Sequence, residues 1–357
     1  MIDILNMTHP ELVAFIRDDL GEPAFRANQV WQWLWQKGIT SFSAMTNVSK
    51  TTRAILEERC VIQLPEIVTE EKSADGTVKF LLRLADGECV ETVLIPSESR
   101  EGIPRMTQCL SCQVGCAMAC TFCATGSMGF IRNMTMGEIL GQVLVARTYL
   151  GDTIDTPRLR NLVFMGMGEP LLNYAAVMRS LEVLHHEIGF NFSPRRMTVS
   201  TCGLQKGLLE LGESGLAYLA VSLHAPTQAL REKIMPRAAR WPLDELIATL
   251  AAYPLKTRER LTFEYLLLGG VNDQPEHARA LAKLMAKVKS KLNLIVYNPV
   301  PGAPYAAPRQ KDVDAFLEIL HNKHITAIIR KSKGQDIKAA CGQLRADAQS
   351  TGKCEPA

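Results

Sequence analysis

Apolar residues in the first 60 positions recur with the period of a helix. They lie three and four positions apart in two segments that each end at a glycine, HPELVAFIRDDLG and FRANQVWQWLWQKG. Trp31 and Trp35 fall on one face of the second segment, which is typical of a small aromatic core, whereas Trp33 points elsewhere. The pattern predicts an N-terminal helical accessory domain over residues 1–60.

The period changes to strand-like alternation after residue 60. Two Asp-Gly dipeptides, which favour tight hairpin turns, separate three short β segments around 66–72, 78–84 and 89–95. We therefore expect a small antiparallel β meander over residues 61–100, which links the helical domain to the rest of the chain.

Strand-like and helix-like segments alternate from about residue 105 onward. The candidate strands are 106–111, 161–166, 196–200, 218–223, 261–268 and 292–297. Between them lie helix-like runs, MGEILGQVLVARTYL, AAVMRSLEVLHHE, PLDELIATLAAY and PEHARALAKLMAKV. Six such units predict an α/β domain over 101–345, built either as a partial (β/α)₆ barrel or as a flat doubly wound sheet. Residues 346–357 are predicted to form a C-terminal tail.

Composition indicates an ordinary globular protein that stays inside the cell. The chain has 357 residues, of which 47% are hydrophobic and 22% charged. Its N-terminus lacks the basic and apolar regions of a signal peptide, which predicts a cytoplasmic protein. The formal net charge of +3 is compatible with a nucleic-acid partner but does not indicate one.

Five of the ten cysteines lie between Cys109 and Cys123. Without an export signal, such thiols are expected to be ligands or nucleophiles rather than disulfides. Cys116, Cys120 and Cys123 form a C-x₃-C-x₂-C run, and three thiolates on one loop can hold a [4Fe–4S] cube with one iron left open. The spacing alone leaves open a zinc site completed by Cys109 or Cys112.

Small and polar residues follow several of the candidate strands. Parallel strands present ligand-binding residues at their carboxyl ends, which predicts a binding site formed by Gly168, Glu169, Ser200, Ser222, Leu223, His224 and Asn298. In this interpretation the G-x-G before Glu169 lets the backbone approach the ligand. A lone G-x-G or histidine is more often structural, so these residues predict a binding site only as a group.

The sequence resembles the RlmN/Cfr family of radical-SAM RNA methyltransferases over nearly its whole length. The resemblance is carried by FRANQVWQWLW, VETVLIP, CLSCQVGCAMACTFCATG, FMGMGEPLLN, SPRRMTVSTCG, VSLHAP, GGVND, NPVPG and DIKAACGQL. Pro170 after GMGE favours the RlmN branch, since Cfr relatives tend to have Ala there. Cys112 stands where relatives usually carry Ser, and it adds a competing thiol.

The resemblance implies a radical-SAM barrel whose three-cysteine cluster binds S-adenosylmethionine at its open iron. It implies methylation of adenine C2 in 23S rRNA, near the peptidyl-transferase centre, and in tRNA next to the anticodon. Two S-adenosylmethionine molecules per turnover, a flavodoxin-type electron donor and a monomer are expected. The alternatives are a Cfr-type C8 methyltransferase and, more remotely, a non-catalytic RNA-binding protein with zinc.

The resemblance also implies roles for three residues that would otherwise look ordinary. Cys341 in AACGQL would be the thiol that is methylated, and Cys109 would resolve the later protein–RNA adduct through a transient disulfide. Glu91 would accept the proton from C2. Without the resemblance, both cysteines would more often be packed neighbours and Glu91 an exposed carboxylate on an edge strand.

Contacts to RNA are expected from basic groups and from aromatic rings. The basic groups together predict a phosphate-binding rim and comprise Arg195-Arg196, Arg237 with Arg240, Lys256 to Arg260, Lys283 to Lys291 and Arg330 to Lys333. Stacking of an N-terminal tryptophan on RNA is an alternative to its core role.

Overall fold

The computed structural model describes residues 1–97, 105–153 and 155–345. The predicted tail, 346–357, lies outside the described residues, as do 98–104 at the predicted junction between the meander and the α/β domain.

The N-terminal segment is helical, as its periodicity predicts. Its helices are α1 (His9–Ala14), continued by a π turn at Phe15–Asp19, α2 (Phe25–Trp31), continued by a π turn at Gln32–Gln36, and α3 (Lys50–Arg59). Strand β1 (Ile2–Asp3) pairs in parallel with β2 (Cys60–Val61) and so brings the two ends of the segment together.

The tryptophans of this segment form a core. The rings of Trp31 and Trp35 are buried, with centroids 5.8 Å apart. Trp33 is only partly buried, and the Lys37 ammonium lies 3.6 Å from the centroid of its ring. The core interpretation of Trp31 and Trp35 therefore holds, since neither ring is free to stack on RNA.

Twelve further strands follow in the described part of the chain. They are β3 (Glu66–Lys72), β4 (Val78–Arg83), β5 (Cys89–Ser97), β6 (Arg105–Cys109), β7 (Gln113–Gly115), β8 (Phe130–Asn133), β9 (Leu159–Phe164), β10 (Met197–Thr201), β11 (Tyr218–Ser222), β12 (Leu261–Leu267), β13 (Ser290–Val296) and β14 (Ala327–Arg330). Ten of them form one sheet in the order β14-β13-β12-β11-β10-β9-β6-β5-β4-β3. The antiparallel meander β3–β5 is thus an extension of the same sheet, joined to it through β6.

Helices follow the parallel strands. They are α4 (Ala124–Ser127), α5 (Met136–Leu150), α6 (Tyr174–His185), α7 (Leu208–Ser214), α8 (Gln228–Ile234), α9 (Leu243–Ala251), α10 (Pro275–Met285) and α11 (Gln310–Asn322). Among the described residues, no helix has the length and apolarity needed to span a bilayer. In the described part of the chain, the parallel part of the sheet contains the six predicted strands and also β14.

The sheet curves into a partial barrel. Strands β9 and β14 are five steps apart in the sheet order, which in a flat sheet would separate them by roughly 24 Å. Yet Nη1 of Arg330, at the end of β14, lies 3.9 Å from Sδ of Met165, just after β9. Only strong curvature brings these side chains together, so the predicted barrel is confirmed and the flat doubly wound alternative is wrong.

Candidate active site

A cavity opens at the carboxyl ends of the parallel strands, where the barrel interpretation places ligand binding. It encloses about 990 Å³, a volume that includes the open solvent at its mouth. Nine of the predicted site residues line it: Cys116, Cys120, Cys123, Gly168, Glu169, Ser200, Ser222, His224 and Cys341.

The loop that carries the three cysteines is closed by a small hairpin. Strands β7 and β8 pair on either side of it, and the Cys116 N–H donates to the Gly129 carbonyl at 2.7 Å. Gly115 has a φ of +72°, and a Cβ there would collide with the Gly129 oxygen. The close approach of the two strands therefore requires glycine at this position.

Two further hydrogen bonds tie the loop to distant parts of the chain. The Thr121 N–H donates to the Ile234 carbonyl at 3.0 Å, and the Ala124 N–H donates to the Gly342 carbonyl at 2.8 Å. The second bond places the residue after Cys341 directly beside the cysteine loop. Burial raises the pKa of the Cys116 thiol to about 12, so an added positive charge is needed for it to bind as thiolate.

These three thiols fit an iron–sulfur cluster. Within the described ranges, no group of three or more His, Cys, Asp or Glu side chains is arranged to hold a metal ion. A [4Fe–4S] cube makes a different demand from a single metal ion. Each cysteine thiolate binds a different iron, so the cysteine sulfurs lie apart and do not converge on one point. Three thiols on one anchored loop, all facing the same cavity, meet that demand and leave one iron for another ligand.

Glu169 is enclosed by backbone donors at the cavity wall. Its Oε1 accepts from the Leu171 N–H at 3.0 Å, and its Oε2 accepts from the Cys202 N–H at 2.8 Å. Burial raises its pKa even though these N–H groups lower it. An ammonium group in the cavity would stabilise the carboxylate form.

The glycines before Glu169 allow close packing at the cavity wall. A Cβ at Gly168, where φ is +103°, would lie 2.6 Å from the Gln113 Cβ, and one at Gly166 would lie 2.7 Å from the Leu110 carbonyl oxygen. Both glycines therefore let the end of β9 pack against the segment before the cysteine loop. Both also line the cavity, so the expectation that they let a ligand approach stays a prediction.

Ser200, Ser222 and His224 form the neighbouring part of the wall. The hydroxyls of Ser200 and Ser222 lie 3.4 Å apart. His224 accepts the Leu266 N–H at Nδ1, 3.1 Å away, which assigns its proton to Nε2. Burial and the nearby Arg231 lower the pKa of His224 to about 3, so the ring is neutral at physiological pH.

Leu223 and Asn298 are not among the residues that line the cavity. The Leu223 side chain is fully buried in the core. The Asn298 amide instead donates to the Ser332 Oγ at 3.0 Å and accepts from Gln335 at 2.5 Å. These bonds hold the segment that leads to Cys341, so Asn298 lies in the supporting structure of the cavity.

Cys341 and Cys109 come from opposite ends of the barrel sequence and lie close in space. Cys341 is in a turn and is exposed toward the cavity, whereas Cys109 is buried at the end of β6. The two thiols are near enough to interact electrostatically. Burial is the main reason that the pKa of Cys109 is raised to about 12, and the interaction with Cys341 is the second. Cys112, the competing thiol, is 1% exposed in the core and is not among the lining residues.

Glu91 is buried rather than exposed at an edge. Its Oε1 pairs with the Lys79 ammonium at 3.0 Å, and its Oε2 accepts from the Arg345 N–H at 2.7 Å. Burial raises its pKa to about 7 in spite of Lys79. Glu91 does not line the cavity but contacts the chain just after Cys341.

Two charged lining residues were missed by the sequence reasoning. Glu264 on β12 is 4% exposed, and its Oε2 has no hydrogen-bond partner, while Oε1 accepts from Asn293 at 2.8 Å. Arg330, grouped by sequence with the phosphate-binding rim, instead faces the cavity beside Cys341 and Cys109. A glutamate inside the apolar run LTFEYLLL was the available signal, whereas nothing local marked Arg330.

Comparisons with known proteins agree with this geometry. A family model described as the radical SAM superfamily matches residues 110–282, and one described as the ribosomal RNA large subunit methyltransferase N-terminal domain matches 2–62. A protein of Nitratidesulfovibrio vulgaris named dual-specificity RNA methyltransferase RlmN is 70% identical over 353 residues, which cover 99% of this chain and 97% of the relative. The chain belongs to the RlmN family.

Another RlmN relative and a solved structure are also similar to this chain over nearly its whole length. The RlmN of Lawsonia intracellularis is 58% identical and covers 97% of both chains. The crystal structure of a radical SAM methyltransferase from Sphaerobacter thermophilus superposes with a TM-score of 0.89 at 43% identity, covering 97% of this chain and 100% of that one. Membership in the RlmN family confirms the resemblance, the barrel and the enzyme class, and the non-catalytic zinc module is wrong.

The radical-SAM family implies a [4Fe–4S] cluster and S-adenosylmethionine as cofactors. The individual site residues and the domain boundaries stay predictions.

Proposed function

We propose that this protein methylates C2 of adenine in 23S rRNA, near the peptidyl-transferase centre, and in tRNA next to the anticodon. The observation that carries the proposal is that Cys341 shares one cavity with Cys116, Cys120 and Cys123. It is supported by relatives at 70% identity named dual-specificity RNA methyltransferases and by the match of residues 2–62 to a ribosomal RNA methyltransferase domain. The protein acts as a cytoplasmic monomer that receives electrons from a flavodoxin-type reductant.

Binding of the cofactors is assigned to the cavity wall. Cys116, Cys120 and Cys123 hold the cluster as thiolates, and Glu169 accepts hydrogen bonds from the ammonium group of S-adenosylmethionine. Gly168, Ser200, Ser222, Leu223, His224 and Asn298 complete the S-adenosylmethionine site. Leu223 and Asn298 lie outside the lining: the Leu223 carbonyl accepts from Arg231, and Asn298 holds the segment that leads to Cys341.

A [4Fe–4S] cluster held by Cys116, Cys120 and Cys123 would, with S-adenosylmethionine bound, supply a 5′-deoxyadenosyl radical able to remove a hydrogen atom from a methyl group. Cys341 carries that methyl group, which its sulfur takes beforehand from a first S-adenosylmethionine. The turnover therefore consumes two S-adenosylmethionine molecules. Since C2 of adenine is electron-poor, it accepts a carbon radical where ordinary methyl transfer would lack a nucleophile.

The attack joins Cys341 to C2 of the base through the former methyl carbon and leaves an adduct radical, whose extra electron the oxidised cluster would accept. The Cys109 thiolate then attacks the Cys341 sulfur, and the carbon–sulfur bond breaks with its electron pair on carbon. C2 loses its proton, the released carbon takes up a proton to become the methyl group, and the two sulfurs form a disulfide that an external reductant reopens. Their proximity in the structure supports this pairing.

Glu91 takes the proton from C2. A pKa of about 7 suits a general base at neutral pH. Both of its oxygens are engaged by Lys79 and the Arg345 N–H, so this role requires the segment after Cys341 to shift during the reaction.

The decisive experiment is mass spectrometry of rRNA and tRNA from cells that lack the gene. Loss of 2-methyladenosine, restored by the wild-type gene but not by a Cys341→Ala variant, supports the proposal. Loss of 8-methyladenosine instead would identify a Cfr-type enzyme. Unchanged adenosine methylation in both RNAs would rule out either activity.

A second experiment tests the two cysteines in vitro. We expect Cys109→Ala to accumulate a covalent protein–RNA adduct, whereas Cys341→Ala forms none. Release of methylated RNA by Cys109→Ala at the wild-type rate would remove Cys109 from the mechanism.

A further inference from the structure

Arg231 on α8 is a buried cation that forms no salt bridge within the described part of the chain. Its side chain is 0% exposed, and none of the ion pairs in the described residues includes it. Nη1 donates to the Leu223 carbonyl at 2.9 Å, Nη2 donates to the Cys202 carbonyl, and Nε has no hydrogen-bond partner. An arginine stays protonated in proteins, so this site holds a full positive charge. Burying such a charge without a counter-charge in contact is strongly unfavourable.

The groups nearest to this charge belong to the cofactor site. Arg231 interacts electrostatically with Cys202, Cys120 and Glu169. Cys202 links the two charged residues directly, since its N–H donates to Glu169 and its carbonyl accepts from Arg231. The guanidinium therefore lies behind the wall that Cys120 and Glu169 present to the cavity.

We infer that Arg231 is the buried counter-cation of the iron–sulfur cluster and raises its reduction potential. The inference rests on the proposed function, which makes Cys116, Cys120 and Cys123 the cluster ligands. An oxidised [4Fe–4S] core with two positive charges and three thiolates is a net anion, and this anion supplies the charge that Arg231 lacks in the protein alone.

Reduction adds one electron from an external low-potential donor and makes the cluster more negative. A fixed positive charge in a low-dielectric interior stabilises the reduced form more than the oxidised form. Arg231 thus makes the cluster easier to reduce, which the cleavage of S-adenosylmethionine requires. Water does not screen the effect, because the guanidinium is fully buried.

The chain offers a matched control for burial. Arg237 is exposed, donates to the Ala117 carbonyl at 2.5 Å and interacts electrostatically with Cys116. It therefore also places a cation beside a cluster ligand, but in contact with water. If burial is what matters, neutralising Arg237 changes the potential much less than neutralising Arg231.

The test is a redox titration of the anaerobically prepared full-length holoprotein without RNA, followed by electron paramagnetic resonance of the reduced cluster. In Arg231→Met we expect the equilibrium constant for reduction to fall at least tenfold, which is a downward shift of about 59 mV for one electron. Arg231→Lys keeps the charge and is expected to keep the wild-type potential. Arg237→Met is expected to shift it by less than half as much as Arg231→Met.

Each result decides the inference. An Arg231→Met protein that carries its cluster at the wild-type potential overturns it, and so does an equal shift in Arg231→Lys, since a charge-independent role would then explain the data. If Arg231→Met acquires no cluster, Arg231→Gln takes its place. If neither neutral variant acquires a cluster while Arg231→Lys does, the charge itself is required and the inference stands.

If Arg231→Lys also fails to acquire a cluster although circular dichroism shows a native fold, the role is steric and the inference falls. Failure of the proposed function looks different. It would appear as a wild-type protein that contains no iron, or as RNA methylation that does not change in cells lacking the gene.

Discussion

Glu91 shows how burial changes the chemistry of a single residue. Its pKa of about 7 lies above the ordinary value of 4.5, so the folded state binds more protons than the unfolded state between these pH values. The contribution of Glu91 to the free energy of unfolding is therefore fully present below about pH 4.5 and is lost as the pH rises through 7.

We expect the free energy of unfolding of the wild type, relative to Glu91→Gln, to fall by up to about 3 kcal/mol between pH 5 and pH 8. The glutamine keeps the shape of the side chain but cannot ionise. Anaerobic urea unfolding of both proteins at several pH values measures the difference. A difference that does not change with pH would contradict a raised pKa at Glu91.

Gly168 provides a test of the packing beside Glu169. In Gly168→Ala the new Cβ would lie 2.6 Å from the Gln113 Cβ at a φ of +103°, so we expect the free energy of unfolding to fall by about 3 kcal/mol. Gly302→Ala is the matched control, because its φ is +81° but nothing lies within 4 Å of the new Cβ. Its expected loss is about 1 kcal/mol, from backbone strain alone. Equal losses in urea unfolding would show that the contact with Gln113 costs nothing.

At the residue scale, the sequence predicted what is local. Cys116, Cys120 and Cys123 were predictable because their spacing alone puts them on one loop. Arg231 and Arg330 were not, because only packing decides whether an arginine faces solvent or a cavity.

At the scale of elements, periodicity was a good guide to helices and long strands. The helix-like run from Met136 to Leu150 coincides with α5, whose first turn carries a capping box between Thr135 and Glu138. Strand β14 was missed, because four residues are too few for an alternating pattern to stand out.

The segment before Cys341 is anchored on the turn of the β3–β4 hairpin. Oδ2 of Asp75 accepts from the Gly334 N–H at 3.0 Å, and the N–H of Ala74 donates to Asp336 at 3.2 Å. This anchor connects the meander to the position of Cys341. No sequence pattern indicated that a hairpin turn has this second role.

In Asp75→Ala we therefore expect at least tenfold faster amide hydrogen exchange in residues 331–341 and slower methyl transfer, with the iron content unchanged. Asp86→Ala is the matched control. Asp86 caps its own hairpin turn through the Glu88 N–H at 3.1 Å, as Asp75 does through the Thr77 N–H at 2.9 Å, but its other partner is Arg132 on β8. Equal exchange in 331–341 in both variants would show that Asp75 does not hold the segment. Hydrogen–deuterium exchange with detection by mass spectrometry measures the exchange rates of these amides.

At the scale of the whole molecule, the accessory domain is fastened to the barrel by two arginines of different exposure. Arg147 on α5 is largely shielded from solvent and donates to the carbonyls of Trp35 at 2.8 Å and Gln36 at 3.0 Å. Arg179 on α6 pairs with Glu11 at 2.6 Å, and both side chains are exposed. The hydrogen bond from Arg179 lowers the pKa of Glu11 to about 2, but solvent screening keeps the net stabilisation small.

We expect Arg147→Met to lower the free energy of unfolding by about 3 kcal/mol, because two carbonyls at the domain interface lose a charged donor. Arg179→Met should cost about 1 kcal/mol or less. Urea unfolding gives both values, and limited proteolysis should release the accessory domain sooner from the Arg147 variant. A larger loss in the Arg179 variant would reverse this assignment of the interface.

The sequence by itself determined most of the elements, the cysteine loop and the family, because periodicity, turn residues and motif spacing are encoded over short stretches of chain. Only the tertiary structure decided that the sheet curves, that β14 returns to β9, and that Cys341 meets Cys109 and the cysteine loop. Curvature accumulates from small twists between many strands and from the packing of helices against them. No local pattern records that sum, so the contacts that depend on it had to be observed.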